Sequence, residues 1–313
     1  MKYAFLFPGQ GSQRVGMGSE LASNFATART TYEEADEALG FALSRMCFEG
    51  PEESLRLTAN TQPAILATSI AARRVLEAEC GIQAEVAAGH SLGEYSALVA
   101  AGALDFADAL RAVRERGRLM QEACPAGEGS MAALMGLEPA VVNEICTEAS
   151  SGGHFAVPAN LNAPGQIVIA GHADAVRRAI EIAKSRGSKM SVELNVSAPF
   201  HCALMQPARD GMGPVLQKLT VKPLKFGVIA NVTGTVNRDE GRVVPLLLEQ
   251  ITAPVRWEES MTSLAATGVE AAIEIGCGKV LASLMRRINK NLKVYPFEDL
   301  ASLKALQAAI VVG

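Results

Sequence analysis

The pentapeptide Gly89-His90-Ser91-Leu92-Gly93 limits what this chain can fold into more than any other feature, because of what flanks it. Val86 to Gly89 reads as a short apolar strand, and Leu92 to Ala101 as an Ala-rich helix. A serine at such a strand-to-helix junction, between two small flanking residues, has the context of a nucleophile elbow. The turn is tight and strained, so positions 89 and 93 need residues without a bulky side chain. It lifts the hydroxyl clear of the sheet and leaves it at a helix N-terminus, where free backbone N–H groups favour developing negative charge. The N–H of Leu92 would point at the oxyanion of a tetrahedral intermediate. In a chain with 28 glycines the bare pattern can arise by chance, and the strand before it and helix after it argue against that.

The rest of the chain supplies a sheet for such an elbow. Tyr3 to Phe7 is a second short apolar run, ended by Pro8-Gly9-Gln10-Gly11. Helical patterns cover about 19–47, 62–80 and 105–124, with Asp105 as an N-cap of the last. After Pro125-Ala126-Gly127 the rhythm becomes β-α-β-β-α-β over 127–197, the split pattern of a ferredoxin-like unit, which reads as an insertion. From about 203 onward helices and strands alternate again, with strands at Phe226 to Asn231 and Ala271 to Ile275, a helix at Lys279 to Asn289, and a short end. The expectation is an α/β chain with a mostly parallel sheet in 1–126 and 198–313, and a small subdomain in 127–197.

Composition narrows the setting. At 49% hydrophobic residues over 313 positions, the chain can bury a sizeable core. A net charge of -4 argues against non-specific nucleic-acid binding. The six cysteines show no C-x-x-C spacing and no histidine cluster that would complete a zinc site, so reduced thiols and no metal are expected. No stretch approaches the ~20 apolar residues of a membrane span, and the N-terminal run is too short for a signal sequence. The expected setting is cytoplasmic, without membrane attachment.

A serine needs a base. His90 adjoins Ser91 and should point elsewhere. His154 and His172 fall in the inserted unit, where surface or capping roles suit them. His201, in Ser197-Ala198-Pro199-Phe200-His201, lies between a strand and a helix of the main body and is the candidate by elimination. No Asp or Glu between 91 and 201 follows an apolar strand as a third triad member would. A Ser–His pair, with a backbone or amide group orienting the imidazole, fits better. The loop at Gly9–Gly11 matches no phosphate-binding spacing; it is a turn, or it brings the Gln10 N–H to an oxyanion hole.

On the helix at 105–124, Arg116 is flanked at helical spacing by Ala112, Val113, Leu119 and Met120 and should face inward, while Arg111, Arg114 and Arg118 should be solvated. A buried guanidinium needs an anionic partner. That partner is a protein carboxylate in a structural ion pair, or a substrate carboxylate held by two hydrogen bonds.

Taken together, these residues resemble the malonyl-CoA:acyl carrier protein transacylases almost end to end. The likeness runs through Phe7-Pro8-Gly9-Gln10-Gly11-Ser12-Gln13, Thr61-Gln62-Pro63-Ala64, Gly89-His90-Ser91-Leu92-Gly93-Glu94 and Arg116-Gly117 with Met120-Gln121. It continues in Asn160-x-Asn162-x-Pro164-Gly165-Gln166, Pro199-Phe200-His201, Gln250 and Gly276-x-Gly278-Lys279-Val280-Leu281. The resemblance implies a hydrolase-like core with a ferredoxin-like insert. It implies that Ser91 takes malonyl from coenzyme A and passes it to the phosphopantetheine thiol of an acyl carrier protein, with His201 as base and then acid. It assigns Gln10 and Leu92 to the oxyanion hole, Arg116 to the malonyl carboxylate, and Gln250 to orienting His201 through its backbone carbonyl. Coenzyme A thioester is then substrate, and no cofactor is implied.

Phe200 matches versions that select malonyl, and Cys277 stands where proline is usual in Gly-x-Gly, which predicts a local loop change. Fatty-acid synthesis is the expected pathway, with polyketide synthesis, a thioesterase on the same elbow, and a non-catalytic carrier-binding module as rivals. Arg286, Arg287, Lys290 and Lys293 form a candidate basic patch for an acidic carrier protein. With no coiled-coil pattern and no long apolar edge, a monomer is expected.

Overall fold

The computed structural model describes residues 1–196 and 198–311. Ser197, at the expected junction of the two units, and residues 312–313 lie outside the described residues. The chain begins with β1 (Tyr3–Phe7), α1 (Ser19–Asn24), α2 (Ala26–Leu39), α3 (Leu43–Glu49), α4 (Glu52–Arg56) and α5 (Thr58–Cys80). Then come β2 (Ala84–Gly89), α6 (Gly93–Ala100) and α7 (Phe106–Glu122). The next stretch holds β3 (Gly129–Met135), α8 (Pro139–Ala149), β4 (Ala156–Ala163), β5 (Gln166–His172), α9 (Ala173–Ser185) and β6 (Met190–Glu193). A 3₁₀ turn at Ala203–Met205 precedes α10 (Gln206–Gln217), β7 (Gly227–Ala230) and β8 (Thr235–Asn237). After another at Glu240–Arg242 follow α11 (Val243–Gln250), α12 (Trp257–Ala266), β9 (Ala271–Ile275), α13 (Val280–Ile288), β10 (Lys293–Phe297) and α14 (Leu300–Val311).

The first sheet has the order β10-β9-β1-β2-β7-β8, parallel except for β8. Its central strands read as continuous apolar runs because helices cover both faces. Tyr3, Phe5 and Phe7 of β1 pack with residues of α2, α5 and α7, whereas Ala4 and Leu6 pack with Trp257, Met261 and Leu284 of α12 and α13. The second sheet, β4-β5-β3-β6, is antiparallel and carries α8 and α9, so the β-α-β-β-α-β order over this stretch is as expected. A short parallel bridge ties it to the first body: Leu161 N–H donates to Val255 O, and Val255 N–H to Ala159 O, both at 2.9 Å.

Asp105 caps α7 by accepting from the N–H groups of Ala107 and Asp108. The C-terminal end is longer than expected, since β10 adds an edge strand and α14 packs against it through Leu303 and Leu306. Arg114 is not solvated; its guanidinium stacks 4.1 Å over the Phe41 ring. Glu274, on β9, is fully buried and accepts from the Leu281 and Ala282 N–H groups at 2.9 and 2.8 Å. It thereby seats the N-terminus of α13, whose first residues reach the cavity described next.

Candidate active site

Ser91 leaves the carboxyl end of β2 with φ of 50°, a left-handed conformation unusual for a residue with a side chain. The flanking glycines make this turn fit. A Cβ at Gly89 would collide with the Gly93 carbonyl, and one at Gly93 would collide with the carbonyl of Phe7. The elbow is pinned to β1 by His90 N–H donating to Phe7 O at 3.0 Å. Asn231 braces it from below: Oδ1 accepts from the Ser91 N–H and Nδ2 donates to Gly89 O, both at 2.7 Å.

His201 meets Ser91 from the far side of the cavity. It also has a left-handed backbone, with φ of 61°, and its Nε2 lies 2.8 Å from Ser91 Oγ. Its Nδ1 lies 2.9 Å from the carbonyl oxygen of Gln250. A carbonyl can only accept, so Nδ1 carries the proton and Nε2 presents a lone pair to the hydroxyl. Burial, reinforced by the nearby Arg116 charge, lowers the imidazole to about 3, so it is neutral at ordinary pH.

Arg116 is the third side chain at the hydroxyl. It is 1% exposed, and Nη2 donates to Ser91 Oγ at 3.2 Å and to Gln250 Oε1 at 2.9 Å. Nη1 donates to Gln62 Oε1 at 2.9 Å, and Nε has no acceptor. Among the described residues, no ion pair includes Arg116, so the structural ion pair that its burial suggested is not what holds it. Two neutral amide oxygens do, so no carboxylate is hydrogen-bonded to the guanidinium; Glu94 acts on it only through space.

Gln10 and Leu92 line the same cavity. Among the described residues, neither backbone N–H donates to a protein acceptor. The Gln10 side chain is turned aside, its Nε2 reaching Thr58 Oγ1 at 3.3 Å. The cavity encloses about 720 Å³, and its apolar wall includes Met120, Met131, Val168, Leu194 and Phe200. Ser91, His201, Arg116, Gln10 and Leu92 all line it, and Gln250 lies behind them, bonded to His201 and Arg116.

The other histidines stand apart. His90 is half-buried against Trp257, with Nε2 2.8 Å from Asn162 Oδ1. His154 and His172 stack on the second sheet, where His154 Nδ1 pairs with Asp174 and His172 Nδ1 accepts from the Phe155 N–H. His172 precedes α9 without capping it through its side chain. Glu94, Asn231 and Gln62 carry no functional expectation from sequence, yet all three join the network beneath Ser91 and Arg116. The signal available for Glu94 was a carboxylate on the otherwise apolar start of α6. Cys277 is buried with Arg14 Nη1 2.8 Å from its sulfur, and Arg14 bridges on to Glu298. Of the basic cluster, Arg287 is engaged with Pro164 O and Gln166 Oε1. Among the described residues, no three potential metal ligands gather, and no helix is long and apolar enough to cross a membrane.

Comparison with known proteins places this geometry in context. The acyl transferase domain family model matches residues 4–307. A malonyl CoA-acyl carrier protein transacylase of Bacillus subtilis strain 168 is 48% identical over 298 residues, 95% of this chain and 94% of that protein. The crystal structure of an acyl carrier protein S-malonyltransferase from Vibrio cholerae superposes with a TM-score of 0.95 at 46% identity, covering 98% of this chain and 100% of that one. A malonyl-transacylase solved with its type II polyketide-synthase acyl-carrier protein superposes with a TM-score of 0.94 at 42% identity, covering 97% and 98% of the two chains.

Proposed function

The chain belongs to the acyl transferase domain family and is an acyltransferase; from that premise, we propose that it moves malonyl groups from coenzyme A to the phosphopantetheine thiol of an acyl carrier protein, through an ester on Ser91. In the first half-reaction His201 Nε2 takes the hydroxyl proton as Ser91 Oγ attacks the thioester carbonyl. The tetrahedral oxyanion is met by the N–H groups of Gln10 and Leu92, which have no protein acceptor to give up. The C–S bond then breaks, and His201 returns its proton to the departing thiolate. In the second half-reaction the carrier's thiol gives its proton to His201, its sulfur attacks the ester, and the C–O bond breaks. His201 then reprotonates Ser91. The Gln250 carbonyl keeps the imidazole in the right tautomer throughout, so a pair does the work of a triad.

The observation that carries the malonyl reading is the Arg116 guanidinium, buried beside Ser91 Oγ with no carboxylate of its own. A substrate carboxylate would supply the hydrogen-bonded anionic partner that Glu94, held behind the Gln250 amide, does not, and an apolar acyl chain would supply none. A hydrolase on the same elbow has no use for that arrangement. The apolar wall supports transfer over hydrolysis by keeping water from the ester. We take residues 1–126 and 198–313 as the catalytic unit and 127–197 as a wall-forming unit. The six unpaired thiols support a reducing, cytoplasmic setting. The pathway is taken as fatty-acid synthesis; polyketide synthesis is the second reading, and its support is the likeness to a malonyl-transacylase solved with a type II polyketide-synthase carrier protein.

Intact-mass measurement after mixing with malonyl-CoA or acetyl-CoA tests the proposal. A malonyl adduct lost in Ser91→Ala is expected, with little acetyl adduct; no stable malonyl adduct on the wild type overturns the reading. In Arg116→Ala the preference for malonyl over acetyl should collapse, and a preserved preference makes Arg116 structural.

A further inference from the structure

Beneath the cavity floor lies a buried carboxylate that takes no part in the chemistry above. Glu94, on the first turn of α6, is 2% exposed. Its Oε2 accepts from the Asn231 backbone N–H at 3.0 Å and from Gln250 Nε2 at 2.7 Å. Gln250 is a junction. Its Nε2 also donates to Ser91 O at 3.0 Å, its Oε1 accepts from Arg116 at 2.9 Å, and its backbone carbonyl holds His201.

A primary amide can be turned over with almost no change of shape, so its partners decide which end faces which way. Turned over, Gln250 would set Oε1 against the Glu94 carboxylate and its NH₂ against Arg116. Those are acceptor–acceptor and donor–donor contacts in a buried place, where unmatched polar groups are costly. An ionised Glu94 can only accept, so it reinforces the order that Ser91 O and Arg116 also favour; a protonated carboxyl, or an amide in its place, can donate as well as accept and gives up that share.

We infer that Glu94 is a positioning residue for acyl selection: by fixing the Gln250 amide it presents Oε1 to Arg116 and holds the guanidinium where a substrate carboxylate meets it. The inference rests on the carboxylate reading of Arg116. Burial raises the Glu94 carboxyl to about 7, against the opposing pull of Asn231, Gln250 and Arg116. Among the described residues, the titratable or charged groups acting on it are Arg116 from α7 and Tyr95 on its own helix, whose hydroxyl burial pushes up to about 12; Asn231, just after β7, and Gln250 of α11 face it with amide groups. Glu94 therefore changes charge near neutrality, while His201 stays neutral.

The test is single-turnover acylation of wild type and Glu94→Gln by malonyl-CoA and by acetyl-CoA at about pH 8. The KM for malonyl-CoA should rise about tenfold, the scale of one hydrogen bond to a charged group, while acetyl acylation falls far less. In an Arg116→Ala background, Glu94→Gln should change the malonyl-to-acetyl ratio no further. Equal losses with both acyl groups overturn the inference, since Glu94 would then only support the fold. An intact preference in Arg116→Ala overturns the carboxylate reading and this inference with it; a collapse there with none in Glu94→Gln overturns this inference alone. The wild type gives a readout that needs no variant to fold. Its malonyl-to-acetyl ratio should decline as pH falls from about 8 to about 5.5, and a flat ratio refutes the inference.

Discussion

Replacing Arg116 with methionine keeps much of the side chain's bulk and removes its charge, which isolates one of the two influences on His201. Burial is the larger of these and should survive the change; the Arg116 charge is the second. Both side chains lie within hydrogen-bond distance of Ser91 Oγ, at 2.8 and 3.2 Å, so their nitrogens are at most about 6 Å apart. Two unit charges at about 6 Å repel by about 3 kcal/mol at an effective dielectric of about 20, equivalent to about 2 pKa units. A positive neighbour disfavours imidazolium, so its removal raises the His201 pKa from about 3 while leaving it below the ordinary 6.5. The ring signals of the four histidines, followed by NMR against pH and with His201 assigned by its loss in His201→Asn, measure this directly. The acid limb of kcat/KM for acetyl-CoA should rise with it, because the base works only when neutral. A His201 titration that does not move in Arg116→Met refutes the electrostatic account and leaves burial alone. The same reasoning predicts that bound malonyl, by neutralising Arg116, places the acid limb of kcat above that of kcat/KM.

Gly93→Ala sets a methyl group against the Phe7 carbonyl, and the collision is with backbone. A loss of about 3 kcal/mol or more is expected in denaturant titration, with acylation falling at least about 100-fold if the elbow shifts by about 1 Å; near-normal values would show that the elbow tolerates the displacement. Glu274→Ala leaves the Leu281 and Ala282 N–H groups buried without acceptors, at about 1–3 kcal/mol each. The Glu274 carboxyl, raised to about 7 by burial from 4.5, binds its proton more tightly when folded, so the stability it contributes is full below about 4.5 and lost as pH rises through about 7. Melting temperatures of wild type and Glu274→Gln should diverge in that window, with the wild type falling.

Much of the site could be read from local pattern. Ser91 had a strand before it and a helix after it, and Arg116 had apolar neighbours at helical spacing. His201 followed from having few competitors. What could not be read depends on contacts between distant segments. Asn231 and Glu94 lie 137 residues apart and look like any polar side chain until β7 and α6 are side by side. The helical neighbours of Arg114 point it to solvent, but its partner Phe41 comes from beyond α2. Pro296 makes β10 a poor strand candidate from sequence, since within sheets proline is confined to edge strands, strand starts and bulges, and β10 is an edge strand. With that strand missed, α14 had nothing to pack on.

Ser91 and His201 are the only described residues other than glycine with a left-handed backbone, and they are the two that face each other at the hydroxyl. Such conformations carry about 1–3 kcal/mol each, and glycine would adopt them freely. Selection for stability therefore pulls against selection for turnover at these two positions. In a library sorted only for folding, glycine at 91 or 201 should be enriched among the survivors, and the best-folded clones would be inactive. Activity alone keeps both residues in place.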